Sequence, residues 1–384
     1  MKSLAIFGAT GSIGSSTLDL VRKEPDSYRV SILTAHSNVS AMQRLAQEFK
    51  PDLLVMSDCS AANQLERLMP TVPILSGADG LRSAAKEPYD LMIAGIVGFA
   101  GLAPTYQAIS LGRSVALANK EALVCAGDLI LSKAEETGAL LLPVDSEHNA
   151  IFQCWEHHNR EQIKSVQLTA SGGPFRGWTA EQLSAASIDE ALRHPNWNMG
   201  PKVTLDSATL MNKGLEMIEA RWLFDLRPEQ LEVVVHPQSI VHSCVTYSDG
   251  STIAQMGQPD MRTPISYCLA YPNRAQVGGD ILSLSTLTDL TFEKPDETVF
   301  PALKLARKVM AADDSSQSLA LNAVNEVLSE AVLARQIAFG KLIPILSRIM
   351  DTIELNRADS IEARYALDSE IRAKSRELLD KWAR

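Results

Sequence analysis

The eight residues FGATGSIG, from Phe7 to Gly14, decide the fold of the N-terminal part of this chain. They follow an apolar run at residues 4–7 and precede a helical pattern at residues 15–22. The spacing G-x-x-G-x-x-G lets backbone N–H groups approach a pyrophosphate at a helix N-terminus. A tight turn between a strand and a helix also needs glycine, so the spacing has a purely structural alternative. Placed between a strand and a helix, the segment predicts a nucleotide-binding βα unit.

The alternation of strand and helix continues from this segment to about Asp145. The β-rich runs are LAIF, YRVSILTA, DLLVM, YDLMIAGI, SVALA and ALLLPV, with helical patterns between them. This order is typical of an α/β fold and predicts an N-terminal Rossmann-like, doubly wound, mostly parallel sheet.

Beyond Asp145 the pattern changes. Runs such as SVQLTA and STIAQM are separated by Gly/Pro-rich loops, and one long helix is predicted from about Ser207 to Phe224. The last part of the chain, from Val299, indicates about four amphipathic helices. Since 384 residues exceed the usual size of one core, we predict several domains. They are a nucleotide-binding domain (1–145), a central α+β domain (146–271), a linker (272–297) and a C-terminal helical bundle (298–384).

Composition and charge exclude several classes of protein. The chain has 36 Lys and Arg against 46 Asp and Glu, a net charge of -10, and no long basic run, so nucleic acid is not an expected partner. No apolar run reaches the roughly 18 residues of a membrane span, and the N-terminus runs directly into a strand pattern. Five cysteines without a C-x-x-C pair predict reduced thiols. We therefore expect a cytoplasmic protein without a membrane partner.

The end of the second predicted strand bears on the choice of dinucleotide. In RVSILTAHSNV no acidic residue stands at the tip, where a carboxylate would accept from a ribose 2′-hydroxyl and repel a 2′-phosphate. His36, Ser37 and Asn38 offer donors instead. The segment favours NADP(H) over NAD(H), with a simple polar loop as the alternative.

In SVALANKEALV, three polar residues follow a strand at the edge where ligands bind in such folds: Asn119, Lys120 and Glu121. They are suited to positioning nicotinamide or substrate. The alternative is a helix cap, in which Asn119 caps and Glu121 favours the first turn. That alternative leaves Lys120 unexplained, because a cation gains nothing at the positive end of a helix.

The stretch PVDSEHNAIFQ places polar residues directly after another apolar run. In extended geometry Asp145 and Glu147 share one face, where two carboxylates would repel each other. A divalent cation removes that repulsion, and hard oxygen ligands favour Mg²⁺ or Mn²⁺ over Zn²⁺. A solvated loop is the alternative.

The segment VTLDSATLMNKGLEMIEARWLF adds a third carboxylate. We expect Asp206 and Ser207 to open a helix on which Asn212, Lys213 and Glu216 lie on neighbouring ridges. Lys213 and Asn212 near a helix start suit a phosphate. The alternative is a structural Lys213–Glu216 ion pair.

Two loops and one β-rich segment complete the set of functional hypotheses. TASGGPFRGW, with Ser171, is suited to an anion nest, and RHPNWNMGPK is typical of a mobile cover whose Trp197 excludes water, or of a plain surface loop. EVVVHPQSIVHSCV, interpreted as one strand, carries His236 and His242, which are equally explained as packed core histidines.

Taken together, these segments resemble the 1-deoxy-D-xylulose 5-phosphate reductoisomerase family. The resemblance is carried by GATGSIG, LANKEALVCAG, PVDSEHNAIFQ, SGGPFRGW, HPNWNMGPKVTLDSATLMNKGLEMIEA, VVHPQSIVHS and QPDMRTP. It implies isomerisation of 1-deoxy-D-xylulose 5-phosphate and reduction by NADPH to 2-C-methyl-D-erythritol 4-phosphate, the committed step toward isoprenoid precursors. It also implies one Mg²⁺ or Mn²⁺ ion, NADPH in the first domain, metal and substrate in the second, and a homodimer.

The resemblance also implies roles for individual residues. The metal ligands fall on Asp145, Glu147 and Glu216, which with Lys120 form the catalytic set. The substrate contacts fall on Lys120, Ser146, Glu147, Ser171, His194, Trp197, Ser207, Asn212, Lys213, Glu216 and His242. The cofactor contacts fall on Thr10, Gly11, Ser12, Ile13, His36, Ser37, Asn38, Asn119, Glu121, Gly200 and Met261. Strict strand alternation would turn Ser146 away from the two carboxylates, so its role requires the strand to end or twist there.

Two other functions compete with this one. One is a plain NADP-dependent dehydrogenase of a phosphorylated aldehyde or semialdehyde, which acts without rearrangement and for which Cys125 is a candidate nucleophile. A nucleotide-sensing regulator would bind NADPH without turnover. Neither alternative needs the three carboxylates.

Overall fold

The chain forms two compact units in a computed structural model that describes residues 1–195, 197, 199–312 and 314–382. The first unit comprises Met1–Ala122, Ile130–Asn149 and Asp260–Asp280, and the second comprises Leu123–Leu129, Ala150–Pro259 and Ile281–Arg384. The chain thus returns twice to the first unit. The four-segment division drawn from the sequence stays a prediction.

Strands and helices alternate in the first half of the chain, and helices dominate the end. The strands are β1 (Lys2–Phe7), β2 (Tyr28–Ala35), β3 (Leu53–Met56), β4 (Ile74–Ser76), β5 (Leu91–Ala94), β6 (Ser114–Leu117), β7 (Leu141–Pro143), β8 (Ile163–Ala170), β9 (Leu231–Val235), β10 (Val241–Tyr247) and β11 (Thr252–Met256). The α-helices are α1 (Ser12–Lys23), α2 (Val39–Phe49), α3 (Cys59–Leu68), α4 (Gly77–Ala84), α5 (Leu102–Ser110), α6 (Lys120–Thr137), α7 (Ser146–Cys154), α8 (Ala180–Ala185), α9 (Ile188–Ala191), α10 (Pro201–Ala208), α11 (Met211–Phe224), α12 (Arg262–Ala270), α13 (Ala302–Met310), α14 (Ser316–Leu333), α15 (Leu342–Thr352) and α16 (Ile361–Trp382).

The first unit is built on a seven-stranded sheet in the order β4-β3-β2-β1-β5-β6-β7. Every neighbouring pair in it is parallel. The strands are short apolar runs, and β1, β3 and β5 are buried over most or all of their length. The order reverses between β1 and β5, which makes the carboxyl ends of these strands the expected ligand edge. The Rossmann-like sheet is confirmed, while β4, with three residues, has no sequence pattern that predicts it.

The glycines of the β1–α1 turn allow the strand, the helix and β5 to approach closely. Gly8 has a φ of +91°, and a Cβ there would lie 2.6 Å from the carbonyl oxygen of Gly95. A Cβ on Gly14 would lie 2.5 Å from the Cα of Ala9. Gly11 is different, since its Cβ would meet only the Gly8 carbonyl oxygen at 3.4 Å. Two of the three glycines are therefore required by packing alone.

The second unit contains a four-stranded mixed sheet in the order β11-β10-β8-β9. β8 runs antiparallel to β10 and parallel to β9. The interpretation of EVVVHPQSIVHSCV as one strand is wrong, because β9 ends at Val235 and β10 begins at Val241. Between them the chain turns at Ser239, whose φ is +52°.

The helices of the second unit differ from the sequence prediction at one point. The single helix predicted from Ser207 to Phe224 is instead two helices, α10 and α11. They are separated at Leu210, which has a left-handed φ of +57° and precedes α11. An apolar residue at the break hides it from a sequence pattern.

Four helices, α13 to α16, form the C-terminal helical region, as predicted. Arg364 of α16 is fully buried there. Its guanidinium donates to Asp128 Oδ2 at 2.6 Å, and it lies 3.9 Å from Asp314. These contacts attach α16 to the residue 123–129 segment of the same unit. In the described part of the chain, no helix is long and apolar enough to span a membrane.

Candidate active site

The N-terminus of α1 is shaped for an anion. Gly11 precedes the helix with extended backbone and contributes no side chain to the cap, and the first turn carries no acidic residue. Gly11 and Ser12 are exposed, and Thr10 and Ile13 are partly exposed. The first N–H groups of a helix attract negative charge, so this turn can hold a pyrophosphate.

The tip of β2 presents three consecutive exposed residues, His36, Ser37 and Asn38. His36 Nδ1 lies 2.8 Å from Ser57 Oγ. Asn38 Oδ1 accepts from the N–H of Ala41 at 3.1 Å and caps α2. The cap occupies the amide oxygen of Asn38, so the amide nitrogen and the other two side chains are the groups suited to a 2′-phosphate.

The interpretation of Asn119 and Glu121 as parts of a helix cap is confirmed. Both side chains are buried in the first unit. Asn119 Oδ1 accepts from the N–H of Ala122 and caps α6. Its amide nitrogen donates to the carbonyl oxygen of Ile96 at 2.6 Å and to Glu121 Oε2 at 3.1 Å. Lys120 does not take part in the cap, and its ammonium lies 2.7 Å from Asp145 Oδ2.

The strand geometry expected for Asp145 and Glu147 is wrong, because β7 ends at Pro143 and α7 begins at Ser146. A helix start still brings the two carboxylates together: an oxygen of each lies within 4.8 Å of the other. The chain bends before Ser146, so its hydroxyl is not turned away and donates to Glu147 Oε2 at 2.6 Å. Two carboxylates held this close repel each other, and a bound hard divalent cation removes that repulsion.

The electrostatic environment keeps Asp145 ionised. Burial by itself would raise the pKa of this carboxyl, but the Lys120 ammonium, followed by His148, holds the pKa well below its usual range. His148 is fully buried, with Nδ1 3.7 Å from Asp145 Oδ1. An ionised carboxylate is a competent metal ligand.

In the second unit, Ser171 lies at a junction of loops. Its Oγ accepts from the N–H of Gly173 at 3.2 Å and lies 3.0 Å from His194 Nε2. His194 Nδ1 accepts from the N–H of Trp197 at 2.9 Å, so Nε2 carries the ring hydrogen and donates to Ser171. Burial lowers the pKa of His194, which favours this neutral form. With two donors to its oxygen, the Ser171 hydroxyl keeps its own hydrogen as the group that can donate to a ligand.

Gly173 brings the Ser171 loop against Ser207. Gly173 has a φ of +66°, and a Cβ there would lie 2.7 Å from the carbonyl oxygen of Ser207. Ser207 is buried in the last turn of α10, so the expectation that Asp206 and Ser207 open a helix is wrong. A cavity of about 480 Å³ opens beside Ser171, between the loop of Phe175 and Arg193.

The prediction that Asn212, Lys213 and Glu216 lie close together on one helix is confirmed for α11. Lys213 and Glu216 are buried and form an ion pair. Asn212 donates to Glu216 Oε1 at 2.5 Å. The ion pair considered as an alternative is therefore real, but it is buried, and burying two charges requires compensation by further contacts or by ligands.

The two histidines of the second sheet differ in role. His236 is a packed core residue: it stacks on Phe292 and its Nδ1 donates to the carbonyl oxygen of Thr291 at 2.8 Å. His242, on β10, is also buried, and burial lowers its pKa to about 4. It is therefore a neutral hydrogen-bonding group at neutral pH.

Of the remaining predicted residues, Gly200 and Met261 lie at helix starts and Trp197 lies in the loop before α10. Trp197 is partly exposed, and Gly200 is exposed and precedes α10 with extended backbone. Met261 precedes α12 in the first unit.

Sequence reasoning missed one feature of the second unit, the surroundings of Asp206. This buried carboxylate accepts from Asn325 Nδ2 at 2.9 Å and lies 2.7 Å from Lys202 Nζ. The four-residue spacing of Lys202 and Asp206 signals their pairing, whereas nothing in the sequence links residue 206 to Asn325.

The fold and these side chains define a class of protein. A Rossmann-like unit with an anion-binding βα turn belongs to a dinucleotide-dependent α/β enzyme, and the buried acids and hydroxyls of both units provide polar groups for substrate chemistry.

Comparison with known proteins identifies the family. Models of the 1-deoxy-D-xylulose 5-phosphate reductoisomerase domains match residues 4–127, 141–224 and 256–374. The chain is 47% identical to 1-deoxy-D-xylulose 5-phosphate reductoisomerase of Geobacter metallireducens and 46% identical to that of Geotalea uraniireducens, in each case over 382 residues and 99% of both chains. The chain belongs to the 1-deoxy-D-xylulose 5-phosphate reductoisomerase family.

Solved structures of reductoisomerases also match this chain. The enzyme from Zymomonas mobilis in complex with NADPH is 42% identical, with a TM-score of 0.92 over 98% of this chain and 99% of that one. A DOX-P reductoisomerase in complex with NADPH, fosmidomycin and magnesium is also 42% identical, with a TM-score of 0.92 over 100% of both chains.

Proposed function

We propose that this protein converts 1-deoxy-D-xylulose 5-phosphate to 2-C-methyl-D-erythritol 4-phosphate, the committed step toward isoprenoid precursors. It uses NADPH and one divalent cation, Mg²⁺ or Mn²⁺. The observation that carries the proposal is the identity of 46–47% along essentially the whole chain to reductoisomerases. The structural relative that contains both NADPH and magnesium supports the two cofactors.

We assign the cation to Asp145, Glu147 and Glu216. The paired oxygens of Asp145 and Glu147, the low pKa of Asp145 and the buried charge of Glu216 fit a hard cation. When bound, such a cation supplies Lewis-acid polarisation of the ketone and hydroxyl oxygens of the substrate. Lys120, held against Asp145, keeps that carboxylate ionised and oriented.

We assign the substrate phosphate to four donors of the second unit, Ser171, Ser207, Asn212 and Lys213. Their hydroxyl, amide and ammonium groups can bind the phosphate and hold it at a fixed distance from the reacting carbons. His194 orients the Ser171 hydroxyl, Trp197 excludes water, and neutral His242 donates or accepts without adding charge. Ser146 and Glu147 bind the sugar end.

NADPH is assigned to the βα turn, with its pyrophosphate at Thr10, Gly11, Ser12 and Ile13. His36, Ser37 and Asn38 bind the 2′-phosphate. Gly200 and Met261 contact the cofactor directly. Since Asn119 and Glu121 are tied to each other and to the backbone, they shape the cofactor site through a rigid helix start.

We propose a homodimer formed by the second unit. β11 is an edge strand, and Ile253 on it is 40% exposed. In the same unit Ile281 is 94% and Phe292 50% exposed, and these side chains can contribute apolar area to an interface. Sedimentation equilibrium tests this assignment, and a monomer at micromolar concentration overturns it.

The five free thiols support a cytoplasmic location.

The test of the activity follows NADPH consumption with 1-deoxy-D-xylulose 5-phosphate and Mg²⁺ or Mn²⁺, with and without chelator. We expect consumption that stops on chelation and that Glu216→Gln abolishes. The control is Glu232→Gln, on the exposed side of β9. Activity indifferent to chelator and to Glu216→Gln would instead support a metal-free dehydrogenase. The Cys125 thiol which that alternative uses is fully buried.

A further inference from the structure

Asp206 is a buried carboxylate beside the phosphate donors, and its side chain is only 1% exposed. It directly precedes Ser207, to which we assign part of the substrate phosphate. An uncompensated anion at this position would repel the phosphate and would be costly to bury. Two groups compensate it: the ammonium of Lys202, one turn earlier on α10, and the side-chain amide of Asn325.

Asn325 contacts Asp206 from another helix. It lies on α14, whereas Asp206 and Lys202 both lie on α10. The Asn325 side chain is fully buried, and its amide nitrogen donates to Asp206 Oδ1 at 2.9 Å. An amide that faces a carboxylate must present its NH₂ group, so the orientation of the Asn325 side chain is fixed by charge. Asp206, in turn, is held on one side by α14.

The backbone at Ser207 has little room to move. On one side its carbonyl oxygen lies where a Cβ on Gly173 would approach to 2.7 Å. After Ser207 the chain turns: the Thr209 hydroxyl donates to the carbonyl oxygen of Asp206 at 3.1 Å and accepts from the N–H of Met211 at 3.3 Å. The same turn starts α11, which carries Lys213. A shift of Asp206 is therefore transmitted both to Ser207 and to the start of α11.

We infer that Asn325 is a positioning residue for the phosphate subsite, acting through Asp206 on Ser207 and on the turn that leads to Lys213. Asn325 is fully buried against Asp206, and we assign it no contact with substrate or cofactor. Its role rests on the proposed function, because it presupposes that Ser207 and Lys213 bind the phosphate.

The test measures KM and kcat for 1-deoxy-D-xylulose 5-phosphate, the Kd of inorganic phosphate and the Kd of NADPH in folded Asn325→Asp, in which two carboxylates face each other. We expect KM and the Kd of phosphate to rise about ten-fold, a smaller change in kcat and an unchanged Kd of NADPH. The matched control is Asn322→Asp on the same helix. Asn322 is equally buried but donates to Glu326 Oε1 of its own helix at 3.0 Å and not to Asp206, so its variant should keep the parent KM.

The Asp206→Asn, Asn325→Asp double variant exchanges donor and acceptor and should restore part of the lost affinity, which a general loss of stability would not do. If Asn325→Asp alone does not fold, Asp206→Asn is compared with the double variant, and equal KM values overturn the inference. Parent-like KM and phosphate Kd in folded Asn325→Asp overturn it as well. Ser207→Ala separates the two proposals: if it leaves KM unchanged, the phosphate assignment itself fails.

Discussion

Single residues in the βα turn have separable roles. Gly14 packs its α-carbon against Ala9, whereas a Cβ on Gly11 would meet only the Gly8 carbonyl oxygen, at an ordinary contact distance of 3.4 Å. Sequence spacing groups the glycines into one motif, but only the backbone contacts show which of them serve packing and which leave room for a ligand. The same limit applies to Asn119, whose buried cap could not be distinguished from a ligand contact by pattern alone.

The two glycines can be tested by matched substitutions. Gly14→Ala should lower the free energy of unfolding by about 2 kcal/mol or more, because its Cβ meets backbone atoms that cannot move aside. Gly11→Ala should change stability by less than about 1 kcal/mol but weaken NADPH binding at least ~10-fold, because its Cβ fills the pyrophosphate approach. Urea denaturation and fluorescence titration with NADPH measure the two effects. Equal loss of stability in both variants would contradict the assignment.

His242 predicts a pH dependence of stability. Burial lowers its pKa from the ordinary value of 6.5 to about 4, so between these values the unfolded chain binds a proton that the folded chain does not. Stability from this group is therefore complete above pH 6.5 and is lost as the pH falls toward 4, by on the order of 3 kcal/mol.

The measurement for His242 is the urea midpoint between pH 4 and 7. His242→Gln should flatten the slope, while His158→Gln, at a side chain that is 79% exposed, should keep the parent slope. A parent-like slope in His242→Gln would show that other groups cause the acid sensitivity.

At the scale of elements, the sequence predicted most strands and helices and their order, because these follow from the period of apolar residues. Element ends were harder to predict. β7 stops at Pro143, and α7 starts at Ser146, so the carboxylates meet at a helix start and not along a strand. The break between α10 and α11 at Leu210 depends on tertiary contacts such as Ser207 against Gly173, which no local pattern encodes.

The close approach of the Gly173 loop to Ser207 of α10 can be tested by substitution. Gly173→Ala should raise KM for the substrate ~10-fold or more, because its Cβ would displace Ser207. Gly177→Ala is the matched control: Gly177 has a similar φ of +80°, but its Cβ meets nothing within 4 Å. Both variants share the strain of a positive φ, on the order of 1 kcal/mol. Steady-state kinetics should therefore separate them, and equal KM values would contradict the close approach.

Across the whole molecule, family membership was predictable from ordered motifs spread along the chain, whereas the roles of the individual site residues stay predictions. The ion-pair network around Arg364 was not predictable, because it joins residues more than two hundred positions apart.

Arg364→Met should lower the free energy of unfolding by about 3 kcal/mol, since it leaves Asp128 without its main partner. Arg357→Met, which removes an exposed ion pair with Asp359, should cost less than about 1 kcal/mol. Urea unfolding checks both, and a similar small loss in the two variants would contradict a structural role for Arg364.

We propose that Asp145, Glu147 and Glu216 bind one divalent cation together, and Mn²⁺ titration followed by electron paramagnetic resonance measures binding at that site. The parent protein is predicted to bind one Mn²⁺ per chain, and Asp145→Asn, Glu147→Gln and Glu216→Gln are each predicted to weaken binding at least ~10-fold. NADPH affinity should stay at the parent value in all three variants. Parent-like Mn²⁺ affinity in Glu216→Gln, with Asp145→Asn impaired, would contradict the claim.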